Sequence, residues 1–152
     1  MKKCYYLYEM NENQTANVKT VLEVLSDECR GDVRSALAKL ALDYTMTWVY
    51  KAPKTGELFP STKKSIGDEL DDVYQIKGRH YDIKHIAESD DGAVFVEMVE
   101  SYPDPKTNQV YRTPLVLVLE MRDGKIKTGR HYCDPNLSYL NLTEEQVEKV
   151  FK

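Results

Sequence analysis

This 152-residue sequence has little of what marks a secreted, metal-bound, membrane-spanning or nucleic-acid-binding chain. Its three cysteines are Cys4, Cys29 and Cys133, and an odd count at wide spacing is neither a disulfide framework nor a zinc motif. The three histidines, His80, His85 and His131, show no ligand spacing on a helix, so no metal is expected. The longest apolar run, Pro114–Leu119, is far short of the roughly 20 residues that span a bilayer, so no membrane partner is expected. Lys2 and Lys3 open the chain without an apolar stretch of signal-peptide length behind them, which predicts a cytoplasmic location. Net charge is −4 and the basic residues are scattered apart from short pairs such as Lys63-Lys64, so the counterion release that drives nucleic-acid binding has no basic face to act through.

What is present is ordinary in bulk and unusual in one respect. A chain of this length can bury about two thirds of its unfolded surface and needs no staple. It should form one domain: an N-terminal arm over 1–13, a pocket domain over 14–135 and a tail with a short helix over 136–152. Phenylalanine is scarce, at 3 residues against 11 tyrosines. Tyrosine suits pocket walls and subunit contacts, because one end is apolar and the other seeks a hydrogen-bond partner.

Periodicity orders the elements. Val18, Val21, Leu22 and Leu25 recur at i, i+3, i+4 and i+7, predicting a helix over 14–28. Gly31 breaks it, and Asp32 can cap a second helix whose stripe is Val33, Leu37, Leu40 and Ala41. Thr45–Tyr50 favours a strand. A loop over 52–60 follows, and Ser61 can cap a third helix with Ile66, Leu70, Val73 and Tyr74 on one face. Strands are then expected at Tyr81–Ala87, Ala93–Tyr102, Thr113–Met121 and Lys125–Asp134. Ser89-Asp90-Asp91-Gly92 and Asp123-Gly124 supply tight-turn signals between them. Thr143 and Gln146 fit a capping box for a last helix. Consecutive strands joined by tight turns form an antiparallel sheet, and the helices must cover its apolar face. The predicted fold class is α+β: a cone-shaped, mostly antiparallel sheet on three N-terminal helices, with a short C-terminal helix and a pocket in the cone.

Residues two apart on a strand share a face. If Ile126 marks the inner face of the last strand, then Thr128, Arg130, Tyr132 and Asp134 join it, while His131 and Cys133 look away; a bulge at Gly129 would reverse the parity. Val94, Val96, Met98, Glu100 and Tyr102 share a face of the preceding hairpin, where Glu100 is the chemical exception: either it surfaces at the rim or a pocket holds it. Two carboxylates in an apolar hollow can have their pKa values pushed apart, and a tyrosine hydroxyl can steady a developing oxyanion. The expected catalytic set is Asp134, Glu100 and Tyr132. Trp48, Met98, Arg130, Tyr74 and Tyr50 are candidate pocket walls. The plainer alternatives are a core Trp48 and an Asp134 merely neutralised by Arg130 on the same face.

The segment Asp123-Gly124-Lys125-Ile126 through Arg130-His131-Tyr132-Cys133-Asp134 resembles the final hairpin of SnoaL-like and limonene-epoxide-hydrolase-like domains. These belong to the nuclear transport factor 2-like, ketosteroid-isomerase-like superfamily. The resemblance extends loosely over about residues 15–135. It implies a cystatin-like α+β barrel, a homodimer formed through the outer sheet face near Phe95 and Val99, and a small hydrophobic ligand. It also implies a cofactor-independent enzyme that moves protons by acid/base chemistry, of isomerase, cyclase or dehydratase type, with Asp134 matching the terminal aspartate of the epoxide hydrolases. Where those hydrolases carry an Arg-x-Asp pair, this chain has Met98 and Glu100, which counts against epoxide hydrolysis. The alternative is a non-catalytic ligand-binding or dimerisation module of the same fold.

Overall fold

The computed structural model describes residues 10–59, 61–62, 77–137 and 140–152. The predicted third helix, with Tyr74, and most of the N-terminal arm lie outside the described residues.

Helix α1 spans Ala16–Arg30. The Thr15 hydroxyl caps it by accepting from the Val18 N–H at 3.2 Å, and Gly31 ends it in the left-handed region at φ 71°. Val18, Val21, Leu22 and Leu25 are all buried, as their spacing requires. Each contributes about 1.5–3 kcal/mol of apolar burial. Helix α2, Val33–Ala38, starts at Asp32, whose carboxylate accepts from the Ser35 N–H at 3.1 Å. It is shorter than its predicted stripe. The Lys39 carbonyl accepts from the Ile126 N–H at 3.0 Å, so sheet pairing captures the chain there, and Leu40 and Ala41 open a strand instead. The Asp27 carboxylate, with 2% of its side chain exposed, ties the two helices together through Arg30 and the Lys39 ammonium, 2.7 Å away.

The strands are β1 (Leu40–Trp48), β2 (Ser61–Thr62), β3 (His80–Glu88), β4 (Val94–Pro103), β5 (Val110–Arg122) and β6 (Lys125–Tyr132). Within β2, Ser61 pairs with Thr47 of β1. Among the described residues the sheet order is β2-β1-β6-β5-β4-β3; β1 runs parallel to β6, and every other pairing is antiparallel. The β5–β6 connection is a two-residue turn with Asp123 at φ 53° and Gly124 at φ 72°, a left-handed pair that suits the twist of a hairpin.

One face of this curved sheet meets α1. It presents Val94, Val96 and Met98 from β4, Leu115, Leu117 and Leu119 from β5, Tyr81 and Ile83 from β3, and Ile126 from β6. Met98, 1% exposed, belongs to this core and not to a pocket wall. Helix α3 (Glu144–Glu148) begins with the expected capping box: the Thr143 hydroxyl accepts from the Gln146 N–H, and the Gln146 side chain accepts from the Thr143 N–H. The C-terminal segment crosses the outer sheet face. There Lys84 reaches Glu148 at 2.7 Å and lies 5.0 Å from the Phe151 ring centre, and Arg112 donates to the Leu142 carbonyl. Of the two outer-face residues assigned to a subunit contact, Val99 is 5% exposed within this chain and Phe95 is 43% exposed.

Strand β6 departs from simple alternation. Ile126 pairs with Met121 and Thr128 with Glu120, which leaves Lys127 as an extra residue in a bulge. The neighbouring β1 has its own register shift between Leu40 and Thr45. Asp43, inside that shift, accepts from Lys127 at 2.8 Å and from Arg122, so the two irregularities face each other. Hydrogen bonds from Lys127 and Arg122 hold the Asp43 carboxyl well below the usual carboxylate range.

Candidate functional site

The bulge decides which β6 side chains look inward. Beyond Lys127 the parity reverses. Gly129 opposes Leu119 and His131 opposes Leu117 on the inner face, while Arg130 opposes Val118 and Tyr132 opposes Val116 on the outer face. Reversal was foreseen for a bulge at Gly129; it occurs two residues earlier. The expected inward placement of Tyr132, Arg130 and Asp134 is therefore corrected. Tyr132 is 40% exposed, and Arg130 reaches Glu120 at 2.6 Å rather than Asp134. Asp134 lies past the strand end, exposed, and accepts from the backbone N–H and side-chain amide of Asn136 at 2.9 and 3.0 Å. Cys133 is half-buried and turns into the pocket, opposite to expectation.

Along the inner face each strand changes character at the same end of the sheet. On β4, Val94, Val96 and Met98 give way to Glu100 and Tyr102. On β5, read backwards, Leu119, Leu117 and Leu115 give way to Thr113 and Tyr111. The two runs match, since Glu100 pairs with Thr113 and Tyr102 with Tyr111. On β6 the change is from Gly129 to His131 and Cys133, and β1 ends beside them at Trp48. The outcome is a cavity of about 410 Å³, within the usual range for small-molecule sites, walled by Trp48, Tyr50, Tyr102, Tyr111, His131 and Glu100 among others. The Tyr102 and Tyr111 rings pack 5.6 Å apart, and the Tyr111 hydroxyl donates to Asp104 at 2.7 Å, which fixes that wall.

Two groups carry the electrostatics. The Glu100 carboxylate pairs with Arg79, whose guanidinium also lies 5.2 Å from the Tyr102 ring centre. Arg79 is 7% exposed and stands at the residue preceding β3. His131 has a buried Nδ1 with no hydrogen-bond partner among the described residues. Burial pushes its pKa down to about 4, and the positive charge of Arg79 adds to the effect against an opposing hydrogen bond to its own backbone. The imidazole is therefore neutral across the physiological range. Burial, with the Asp134 charge nearby, pushes the Cys133 thiol up to about 11, which removes it as a nucleophile near neutral pH.

Sequence reading missed Arg79 and His131. The signal for the second was the bulge, which one strand read alone does not reveal. The signal for the first was a charged residue one step before a strand whose inner face begins with Tyr81. Among the described residues no three His, Cys, Asp or Glu side chains gather as a metal site would require, and no helix is long and apolar enough to cross a membrane.

No family model matches the sequence, and no curated protein matches it. Solved structures do. The crystal structure of TerC with polyporic acid matches with a TM-score of 0.67 at 18% identity, over 88% of this chain and 99% of that one. An LEH-like epoxide hydrolase from M. tuberculosis matches at TM-score 0.64 and 16% identity, over 90% of this chain and 95% of that one. An NTF2-like protein of unknown function from Cytophaga hutchinsonii matches at 0.61 and 13%, over 83% and 96%. At such identities the likeness speaks for architecture alone, and on architecture it is clear: this chain has the NTF2-like α+β fold.

Proposed function

We propose that this chain is a cofactor-independent acid/base enzyme acting on a small, largely apolar substrate that carries a carbonyl or comparable oxygen. The observation that carries this reading is the juxtaposition of an arginine-held carboxylate, Glu100, with a neutral imidazole, His131, in the walls of one aromatic-lined cavity. Glu100 is the group that takes a proton from carbon beside the carbonyl and returns it elsewhere on the substrate. His131, uncharged, is the group that hydrogen-bonds the oxygen on which negative charge develops. Trp48, Tyr50, Tyr102 and Tyr111 offer flat apolar walls with hydroxyls at their edges. The epoxide hydrolase and the polyporic-acid complex among the structural neighbours support a small organic molecule as the occupant of such a hollow. The Glu100–Arg79 pair removes the earlier ground for setting epoxide hydrolysis aside, although among the described residues the wall holds a single carboxylate.

A set of aryl ketones and β-diketones in heavy water, followed by proton NMR, tests the reading. The protein should speed deuterium uptake beside the carbonyl, and Glu100→Gln should cut that rate by about 10²–10⁴. Full activity in Glu100→Gln would overturn the assignment. The second reading is a binding module of the same fold. The single carboxylate among the described wall residues favours it, because no second carboxyl group is there to complete an acid/base pair. Saturable ligand binding with no exchange on any probe would select it.

A further inference from the structure

Behind Glu100 lies a second carboxylate that the proposed chemistry does not use. Glu28 projects from α1 and accepts a hydrogen bond from the Tyr81 hydroxyl at 2.8 Å. Tyr81 is 6% exposed and is the cross-strand partner of Glu100 on the inner face. Arg79, two residues before Tyr81 on the same chain segment, pairs with Glu100. Four side chains from α1, β3 with its preceding residue, and β4 thus form a continuous polar layer, Glu28–Tyr81 beside Arg79–Glu100, between the helix and the pocket wall.

The geometry points to Glu28 and Tyr81 as positioning residues of the pocket: with the Tyr81 hydroxyl engaging Glu28, Arg79 is left to hold the Glu100 carboxylate at the cavity wall. The inference rests on Glu100 being the working carboxylate. The Arg79 charge acts on Glu28 as well as pairing with Glu100, and the Tyr81 hydroxyl bond engages Glu28 from the other side of that balance. The charges around Glu28 agree. Burial raises its pKa, the Tyr81 hydrogen bond and the Arg79 charge oppose that rise, and Asp27, one residue earlier on α1, adds to it. Tyr81, for its part, has a phenol pushed well up by burial and by the Glu28 charge, so it remains a donor at all working pH values. Among the described residues, Arg79 and Cys29 also act on it.

The test uses the full chain labelled with ¹³C at glutamate carboxyls, with the Glu100 signal identified by its loss in Glu100→Gln. Two variants are compared by NMR titration, with thermal melting as a check of folding. Glu28→Gln keeps an acceptor for Tyr81 but removes the competing charge, so the Glu100 midpoint should fall by about half a pH unit or more. Tyr81→Phe frees Glu28 to draw on Arg79, so the Glu100 midpoint should rise by a similar amount. A purely structural role would not move the midpoint in opposite directions. Unchanged midpoints in folded variants, or shifts of the same sign, would overturn the inference. If one variant does not fold, the sign of the other decides. Because the readout is a titration, it stands apart from turnover: loss of the assigned chemistry would show as Glu100→Gln retaining exchange, with these midpoints unaffected.

Discussion

Trp48 and His131 are register partners across the parallel β1–β6 pairing, their ring centres 6.2 Å apart and the rings tilted by 42°. The indole covers an imidazole that burial keeps uncharged down to about pH 4. An unfolded chain protonates the same ring near its ordinary value of 6.5. The folded pKa is depressed for a base, so the unfolded state binds more protons between these values, and stability falls as pH drops from about 6.5 toward about 4. The full effect is on the order of 3 kcal/mol. Urea unfolding at neutral pH and near pH 4.5 should show this slope, and His131→Phe should lose much of it.

Arg79 and Glu100 make a second test. Both are largely buried, so removing one partner leaves a charge without compensation. Arg79→Met should destabilise by about 3–5 kcal/mol. Adding Glu100→Gln to it should recover part of that loss, because the stranded carboxylate is gone. Denaturant midpoints of the wild type, both single variants and the double variant give the coupling; strict additivity would mean that the two side chains do not act as a pair.

The Cys133 thiol should be slow. With its pKa near 11, the thiolate fraction at pH 8 is about one in a thousand. Alkylation by iodoacetamide, located by peptide mass spectrometry, should lag far behind a free thiol and accelerate up to about pH 11. Asp134→Asn removes the smaller of the two causes and should speed the reaction modestly at fixed pH.

Gly129 is a packing requirement. A Cβ built there would stand 2.6 Å from Met46 Cε, 2.8 Å from its Sδ and 3.2 Å from Leu119 Cδ2. Gly129→Ala should therefore cost about 1–3 kcal/mol. Because the methionine tip is the adaptable side of the contact, Met46→Ala in the same chain should relieve part of the strain, measured as recovery of the melting temperature.

Local signals were legible where one strand or helix carries the whole pattern. The α1 stripe, the Asp32 and Thr143 caps, the two tight turns and the inner face of β4 with Glu100 all follow from spacing that no neighbour overrides. Tyr132, Arg130 and Asp134 were misplaced because their direction depends on one inserted residue, Lys127, stabilised by β1 from more than eighty positions away. Helix α2 was overextended for a related reason: Leu40 has helical spacing, but hydrogen bonding to β6 settles its conformation. The Arg79–Glu100 pair needs the β3–β4 register before it can be seen at all. Aligning Glu100 with Thr113 and Tyr102 with Tyr111 from the hairpin length would have exposed the polar, aromatic end of the sheet.

The Lys127 bulge makes the identity of the lining hostage to a single codon. Excising that residue would restore strict alternation downstream and rotate the strand by half a turn. Arg130, Tyr132 and Asp134 would then face the hollow in place of Gly129, His131 and Cys133, replacing an uncharged stretch of wall with an ionic one.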